Sequence, residues 1–345
     1  MSAINRQIVL AARPKGVPQP AHFALKHTEP PAPGPQQMLV ENVLLSVDPA
    51  QRGYVNDENN YTPPVPIGSV MRAMAVGRVV SSNLPQYPTG QYLYGWFGWQ
   101  DYCLCGPEAV LRRVDPRQAS LAAAAGFLGI NGLTAYMAFN ELGVPKAGET
   151  VVVTAAAGAV GSIVGQLAKL AGCRAVAVVG SDEKGAQCID EFGFSEFVNY
   201  KQPWVAALSR ACPRGVDIFF DNVGGELLDG TLRQMQPFGR VIVCGTMAIP
   251  SWAPAPSGLR NEREVLTRRL RMQGFVIFDH IDRFDAVAGE LAAMLAQQKL
   301  RTREDIETGL EKAPQALVDV YAGRNRGKKL IRLRPDHGPP GQPGF

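Results

Sequence analysis

The run Glu149–Gly165, ETVVVTAAAGAVGSIVG, constrains this chain more than any other stretch. Five β-branched residues, Thr150–Thr154, lead directly into a turn of alanine and glycine. Val160, Ile163, Val164, Leu167, Ala168 and Ala171 then fall on one face at helical spacing, which predicts a helix over Val160–Ala171. Ala156, Gly158 and Gly161 occupy the three positions of the G-x-G-x-x-G fingerprint, with alanine at the first. A glycine pattern alone says little; a strand before it and a helix after it give it meaning. Gly158 lets the backbone approach a pyrophosphate at the positive end of the helix, while Gly161 and Gly165 let that helix pack closely. A tight turn that binds nothing is the plainer reading, and the wider pattern weighs against it.

That pattern is a repeat of strand and helix from about Ser120 to residue 300. Strands are expected at Thr150–Thr154, Ala175–Val179, Asp217–Asp221, Arg240–Gly245 and Met272–Phe278, with helical stretches between them. Such alternation means a parallel sheet covered on both faces. The first third differs. Gln37–Val47, Val76–Val80 and Tyr92–Phe97 are short apolar runs separated by clusters of Pro and Gly, as in a barrel-like or twisted antiparallel domain. A helix over Asp285–Gln298 and a final strand over Lys328–Leu333 follow the repeat. Pro335–Phe345 holds four prolines and three glycines in eleven residues and is expected to be disordered. A chain of 345 residues also exceeds what one core usually serves, so two domains are expected.

The strand ending at Val179 bears on which dinucleotide binds. An NAD enzyme carries an acid there, about twenty residues beyond the glycine turn, to hold the ribose 2′-hydroxyl. This chain reads Gly180-Ser-Asp-Glu-Lys184. The small residue, the Ser181 hydroxyl and the Lys184 cation suit a 2′-phosphate, and so NADPH. Asp182 and Glu183 point the other way, although acids are common at helix starts because they face the positive end of the dipole.

Other classes of function find little support. A net charge of +4 gives no case for nucleic acid. The apolar run Ile8–Ala12 is too short for a signal peptide, and no run suffices to span a bilayer, so a cytoplasmic protein without membrane contact is expected. The six cysteines form no C-x-x-C pair, and the four histidines (His22, His27, His280, His337) have no metal spacing. No metal site is expected. Cys103-Leu-Cys105 fits one side of a strand, with both thiols half-buried. Arg260–Arg271 carries five arginines and two glutamates, and reads as a solvated helix face with i,i+4 ion pairs more readily than as an anion patch.

With those residues in view, further motifs stand out: Leu45-Ser-Val-Asp-Pro49 with Arg52-Gly53, Tyr61-x-Pro-Pro64, Gly132-Leu-Thr-Ala-Tyr136, Asn199-Tyr-Lys201, Phe220-Asp-Asn-Val-Gly-Gly-Glu226 and Gly323-x-Asn325-x-Gly-Lys328. Through them the chain resembles the zinc-independent medium-chain dehydrogenases/reductases from about residue 5 to 333. Within these it looks most like the group of leukotriene B4 12-hydroxydehydrogenase, prostaglandin reductase and the curcumin-type and plant alkenal double-bond reductases. The resemblance implies an α/β protein in which a doubly wound Rossmann domain (125–304) is inserted into a β-rich, GroES-like catalytic domain (1–124 with 305–345), usually as a homodimer. It implies that Gly158, Ala159, Val160 and Gly161 hold the pyrophosphate of NADPH, with Ser181, Lys184 and Tyr200 at the adenine-ribose end. Asn222, Cys244, Gly245, Thr246, Phe275, Val276, Ile277 and Asn325 would follow the cofactor toward the nicotinamide. The zinc-dependent cousins place ligands where this chain has Ser46-Val-Asp48 and Gly68-Ser-Val70, neither of which supplies one.

Without a metal to polarise an alcohol, hydride delivery to the β-carbon of an enone or enal asks least of the protein, which need only stabilise an enolate oxygen and admit a proton. Quinone reduction makes similar demands and is the alternative within the class. An NADPH-binding regulatory protein with little turnover is the alternative outside it. Two tyrosines of the resembled group are missing, replaced by Ala50 and Pro250. Tyr61 is the expected substrate-side or proton-side residue in their stead, with Tyr54 and Trp252 as further candidates; each could equally serve packing.

Overall fold

The computed structural model describes residues 4–57, 60–249 and 256–335. The expected disorder after Pro335 therefore lies outside the described residues, as do Pro250 and Trp252. The chain divides into two compact units, Met1–Gly129 with Glu304–Phe345, and Ile130–Arg303.

In the first unit the Pro- and Gly-punctuated runs form antiparallel strands. β1 (Asn5–Leu10) pairs with β2 (Phe23–Thr28). β3 (Met38–Ser46), β4 (Ala75–Ser82), β5 (Tyr92–Gly95), β6 (Tyr102–Cys105) and β7 (Val110–Val114) belong to a larger sheet. The run expected to extend to Phe97 stops at Gly95. There the register shifts, and a Cβ would stand 2.2 Å from the Ala109 carbonyl oxygen, so only glycine lets the two strands close. Cys103 and Cys105 are both buried on β6.

The second unit is built on six parallel strands: β8 (Thr150–Thr154), β9 (Arg174–Val179), β10 (Glu196–Asn199), β11 (Val216–Asp221), β12 (Met235–Val243) and β13 (Arg271–Gly274). Their order, β10-β9-β8-β11-β12-β13, is the doubly wound 3-2-1-4-5-6 arrangement of a Rossmann fold. Val151, Val152 and Val153 are all fully buried, which requires cover on both faces and explains a continuous rather than alternating apolar run. Each valine or phenylalanine so buried, Phe219 among them, contributes about 1.5–3 kcal/mol. Helices Gly161–Leu170 and Asp182–Phe192 pack against β8, β9 and β10.

Two strands end earlier than the sequence suggests. β12 stops at Val243 because the next two amides turn away, Cys244 N and Gly245 N both donating to the Asp221 carbonyl (2.8 and 3.1 Å). β13 loses its partner at the same level, since Val243 pairs with Gly274; Ile277–Arg283 continues as a 3₁₀ segment instead of strand. The pattern of the sequence does not announce β10. It offers only Phe197 and Val198 as strand formers in four residues, and it is recruited by pairing with β9.

The chain then returns to the first unit. β14 (Glu304–Thr308) and β15 (Lys328–Arg332) complete its sheet in the order β14-β15-β3-β4-β5-β7, with β6 also paired to β3. A buried ion pair joins the ends: Lys328 Nζ lies 2.6 Å from Asp48 Oδ1 and donates to the Val47 carbonyl at 2.9 Å. Asp48 Oδ2 in turn accepts from the Ser46 hydroxyl.

Candidate functional site

The strand–turn–helix signature folds into a backbone cradle. Ala155 takes a left-handed φ of 49°, and Gly158 N donates back to the Ala155 carbonyl at 2.9 Å. Helix Gly161–Leu170 begins with no side-chain cap at Val160. Ser162 N bonds to the Gly158 carbonyl, but among the described residues the amides of Ala159, Val160 and Gly161 have no acceptor. Three unclaimed N–H groups at the positive end of a helix make a site for an anion. The space beside them depends on glycine. A Cβ on Gly161 would lie 2.5 Å from the Ala155 oxygen and 2.8 Å from the Ala156 Cα, both rigid backbone atoms. Gly165 serves packing instead, since a Cβ there would meet the Phe194 ring at 2.0 Å.

Next to this cradle the strand order reverses, between β8 and β11, where an open parallel sheet forms its ligand crevice. Thr154 Oγ1 donates to Asp221 Oδ1 (2.8 Å) and accepts from Asn222 N (2.8 Å), while Asn222 Nδ2 donates to the Thr154 carbonyl (2.8 Å). The Asp221 carboxylate also accepts the amides of Val223 and Gly224. Burial pushes the Asp221 pKa up, and those two amides with Thr154 oppose the shift. Gly245 must be glycine, because a Cβ would lie 2.6 Å from the Asn222 oxygen. The Cys244 thiol is pushed up to about 12 by burial and by Asp221, so it is no nucleophile at neutral pH. Thr246 accepts from Ile249 N at 3.0 Å. Beyond β13, Phe275 N donates to Val243, its ring stacks on His280 (5.0 Å between centroids), Val276 accepts from Asp279 N, and Ile277 is buried. Asn222, Cys244, Gly245 and Phe275 thus line the carboxyl ends of β11, β12 and β13.

At the other side of the reversal, Ser181 caps helix Asp182–Phe192, its hydroxyl oxygen accepting from Lys184 N at 3.3 Å. The hydroxyl proton is left to donate elsewhere. Tyr200 N donates to the Val179 carbonyl, and its phenol lies over Gly180, 2.9 Å from where a Cβ would be. Gly180, Ser181, Lys184 and Tyr200 therefore come together at the carboxyl ends of β9 and β10. Asn199, in the sequence only a member of the Asn199-Tyr-Lys201 motif, donates through Nδ2 to Asp182 Oδ1 at 2.8 Å.

Two of the expected residues belong to the first unit. Asn325 Nδ2 donates to the Gly327 carbonyl (2.7 Å) and shapes the turn before β15. Tyr61 is 51% exposed, with its ring edge-on to Tyr54 at 6.3 Å. Tyr54 is 2% exposed and is held well above the usual phenol range by burial and by Tyr61. Only Tyr61 of the two offers its ring to a ligand. Ala50 stands just before the short helix Gln51–Val55.

The arginine-rich stretch of the second unit is occupied within the chain. Arg268 pairs with Glu264 one turn away (3.0 Å), Arg260 pairs with Glu262, Arg269 lies over the Phe238 ring, and Arg271 donates to the Leu142 carbonyl. Among the described residues no three His, Cys, Asp or Glu side chains are grouped to hold a metal ion, and no helix is long and apolar enough to cross a membrane.

Residues 6–113 match a family model described as the N-terminal domain of oxidoreductase, and residues 159–293 one described as zinc-binding dehydrogenase. The chain is 40% identical over 339 residues to an NADPH-dependent curcumin reductase of Escherichia coli, covering 96% of this chain and 98% of that one. It is 36% identical to a 2-alkenal reductase (NADP(+)-dependent) of Nicotiana tabacum, covering 95% and 97%. The crystal structure of CurA from Vibrio vulnificus in complex with NADPH superimposes with a TM-score of 0.90 at 37% identity, over 96% of this chain and 99% of that one.

Proposed function

The chain belongs to the zinc-independent medium-chain dehydrogenases/reductases, in their double-bond reductase group, and we propose that it reduces the C=C bond of α,β-unsaturated ketones and aldehydes with NADPH. The observation that carries this reading is the likeness, along nearly the whole chain, to the curcumin and 2-alkenal reductases. The cradle at Ala159–Gly161 agrees with it, since three unclaimed amides fit a pyrophosphate and the glycines keep the approach open.

NADPH, when bound, supplies a hydride for the β-carbon of the substrate. The residues of the chain bind and orient. Gly158, Ala159, Val160 and Gly161 take the pyrophosphate; Ser181, Lys184 and Tyr200 take the 2′-phosphate and adenine-ribose end. Asn222, the Cys244–Thr246 backbone, Phe275–Ile277 and Asn325 serve the nicotinamide half. On the substrate side Tyr61 donates its phenolic hydrogen to the developing enolate oxygen, backed by the buried Tyr54, which stays neutral. No charged acid is required, because an enolate needs only a donor and a proton from solvent.

The same reading divides the chain into a cofactor domain, 125–304, and a catalytic domain formed by 1–124 and 305–345. It takes the enzyme to be a cytoplasmic homodimer. The six unpaired thiols suit a reducing compartment. A two-fold partner suits β13, whose four residues are all exposed at the edge of the parallel sheet, next to the exposed Leu259 and Leu266.

The test is to follow NADPH oxidation with an enone, an enal and a quinone, with NADH and a chelator in parallel. Turnover of the enone or enal with NADPH, unaffected by the chelator, is expected. Activity confined to NADH or abolished by chelation would contradict the reading, and tight NADPH binding without any turnover would favour a regulatory role.

A further inference from the structure

The carboxylate of Asp182 lies beside the site where a 2′-phosphate would bind. It follows Ser181 directly at the carboxyl end of β9, the level at which an acid selects for NADH by binding the ribose 2′-hydroxyl. A carboxylate free to turn into that position would repel a phosphate. The structure shows what prevents it. Asn199, the last residue of β10, is paired with Val179 of β9, and its Nδ2 donates to Asp182 Oδ1 at 2.8 Å. Asn199 is itself fixed, because its Oδ1 accepts from Lys201 N at 3.1 Å and closes the turn that leads out of β10. The amide therefore has a set orientation, oxygen toward the Lys201 amide and nitrogen toward the carboxylate. Asp182 also sits in the first turn of helix Asp182–Phe192, where the dipole favours its charge in place.

We infer that Asn199 is a specificity-determining positioning residue: by holding the Asp182 carboxylate to the side, it keeps the Ser181–Lys184 corner open to a 2′-phosphate. The inference rests on the NADPH reading and goes beyond it, since Asn199 itself need not touch the cofactor. The acid is retained at the start of its helix and prevented from selecting the wrong dinucleotide.

Binding of two small probes tests this without turnover. 2′,5′-ADP carries the 2′-phosphate and 5′-AMP lacks it; titration calorimetry gives both affinities for the wild type and for Asn199→Ala, Asn199→Asp, Asp182→Ala and the double variant Asn199→Ala/Asp182→Ala. Asn199→Ala is expected to weaken 2′,5′-ADP about threefold to tenfold through the released charge, with 5′-AMP unchanged. Asn199→Asp keeps the acceptor for Lys201 N and should weaken 2′,5′-ADP at least as much, which separates charge from loss of the turn. The double variant should recover wild-type affinity, since the Asp182 carboxylate that the lost amide would release is no longer there to repel the phosphate. An Asn199→Ala protein that binds both probes as the wild type does would overturn the inference, and so would a double variant as weak as the single one. A wild type that does not prefer 2′,5′-ADP over 5′-AMP would instead remove the NADPH reading, and this inference with it.

Discussion

Thr154 Oγ1 donates a 2.8 Å hydrogen bond to Asp221 Oδ1 across the point where the strand order of the parallel sheet reverses. Both residues are fully buried, and the same hydroxyl accepts from Asn222 N. One side chain thus fixes the ends of β8 and β11, from which the pyrophosphate turn and the nicotinamide-side residues depart. Thr154→Val keeps the shape but leaves a buried carboxylate oxygen one donor short and a buried amide without its acceptor. It should cost about 1–3 kcal/mol of stability, read as a lower urea midpoint with unchanged slope, whereas Thr154→Ser should stay near wild type.

Cys244 stands among the proposed cofactor residues, yet its part is played by its backbone. With the thiol pushed up to about 12, little thiolate exists at pH 8. Alkylation by iodoacetamide, followed by peptide mass spectrometry, should be about a hundredfold slower there than for an ordinary exposed cysteine, allowing for the greater nucleophilicity of a more basic thiolate. The rate should keep rising with pH past 10. Rapid modification at pH 7 would contradict this.

Lys328 and Asp48 form the buried pair that ties β15 to the end of β3. Lys328→Met removes one charge and strands the other, at an expected cost of about 3–5 kcal/mol in denaturant unfolding. Lys328→Met with Asp48→Leu should be clearly more stable than the single variant, because no unpaired charge remains buried. If the double variant were as unstable as the single one, the pair would matter for its hydrogen bonds to Val47 and Ser46 and not for its charge balance.

The sequence was legible where local chemistry and tertiary demand agree. Thr150–Thr154 is β-branched throughout and lies at the centre of the sheet, so its strand matches residue for residue. Arg240–Gly245 and Met272–Phe278 overran because their apolar residues continue past Val243 and Gly274, while the ladder ends where Cys244 and Gly245 turn to Asp221. The hold of Asn199 on Asp182 joins residues 17 apart through β10, a strand too short to announce itself, so no local pattern could show it. On sequence grounds Tyr61 stands ahead of Tyr54 as a substitute for the missing tyrosines, yet either could serve packing there; burial separates them, with Tyr61 exposed and Tyr54 enclosed.

In the proposed reaction, hydride reaches the β-carbon of an unsaturated carbonyl compound. The direct measurement uses NADPH deuterated at C4 of the nicotinamide, each face labelled in turn, with an enone as acceptor and NMR of the product. One of the two labelled cofactors should deliver a single deuterium to the β-carbon of a saturated ketone. Deuterium on a carbinol carbon, with the double bond intact, would show carbonyl reduction and rule out double-bond reduction as the reaction.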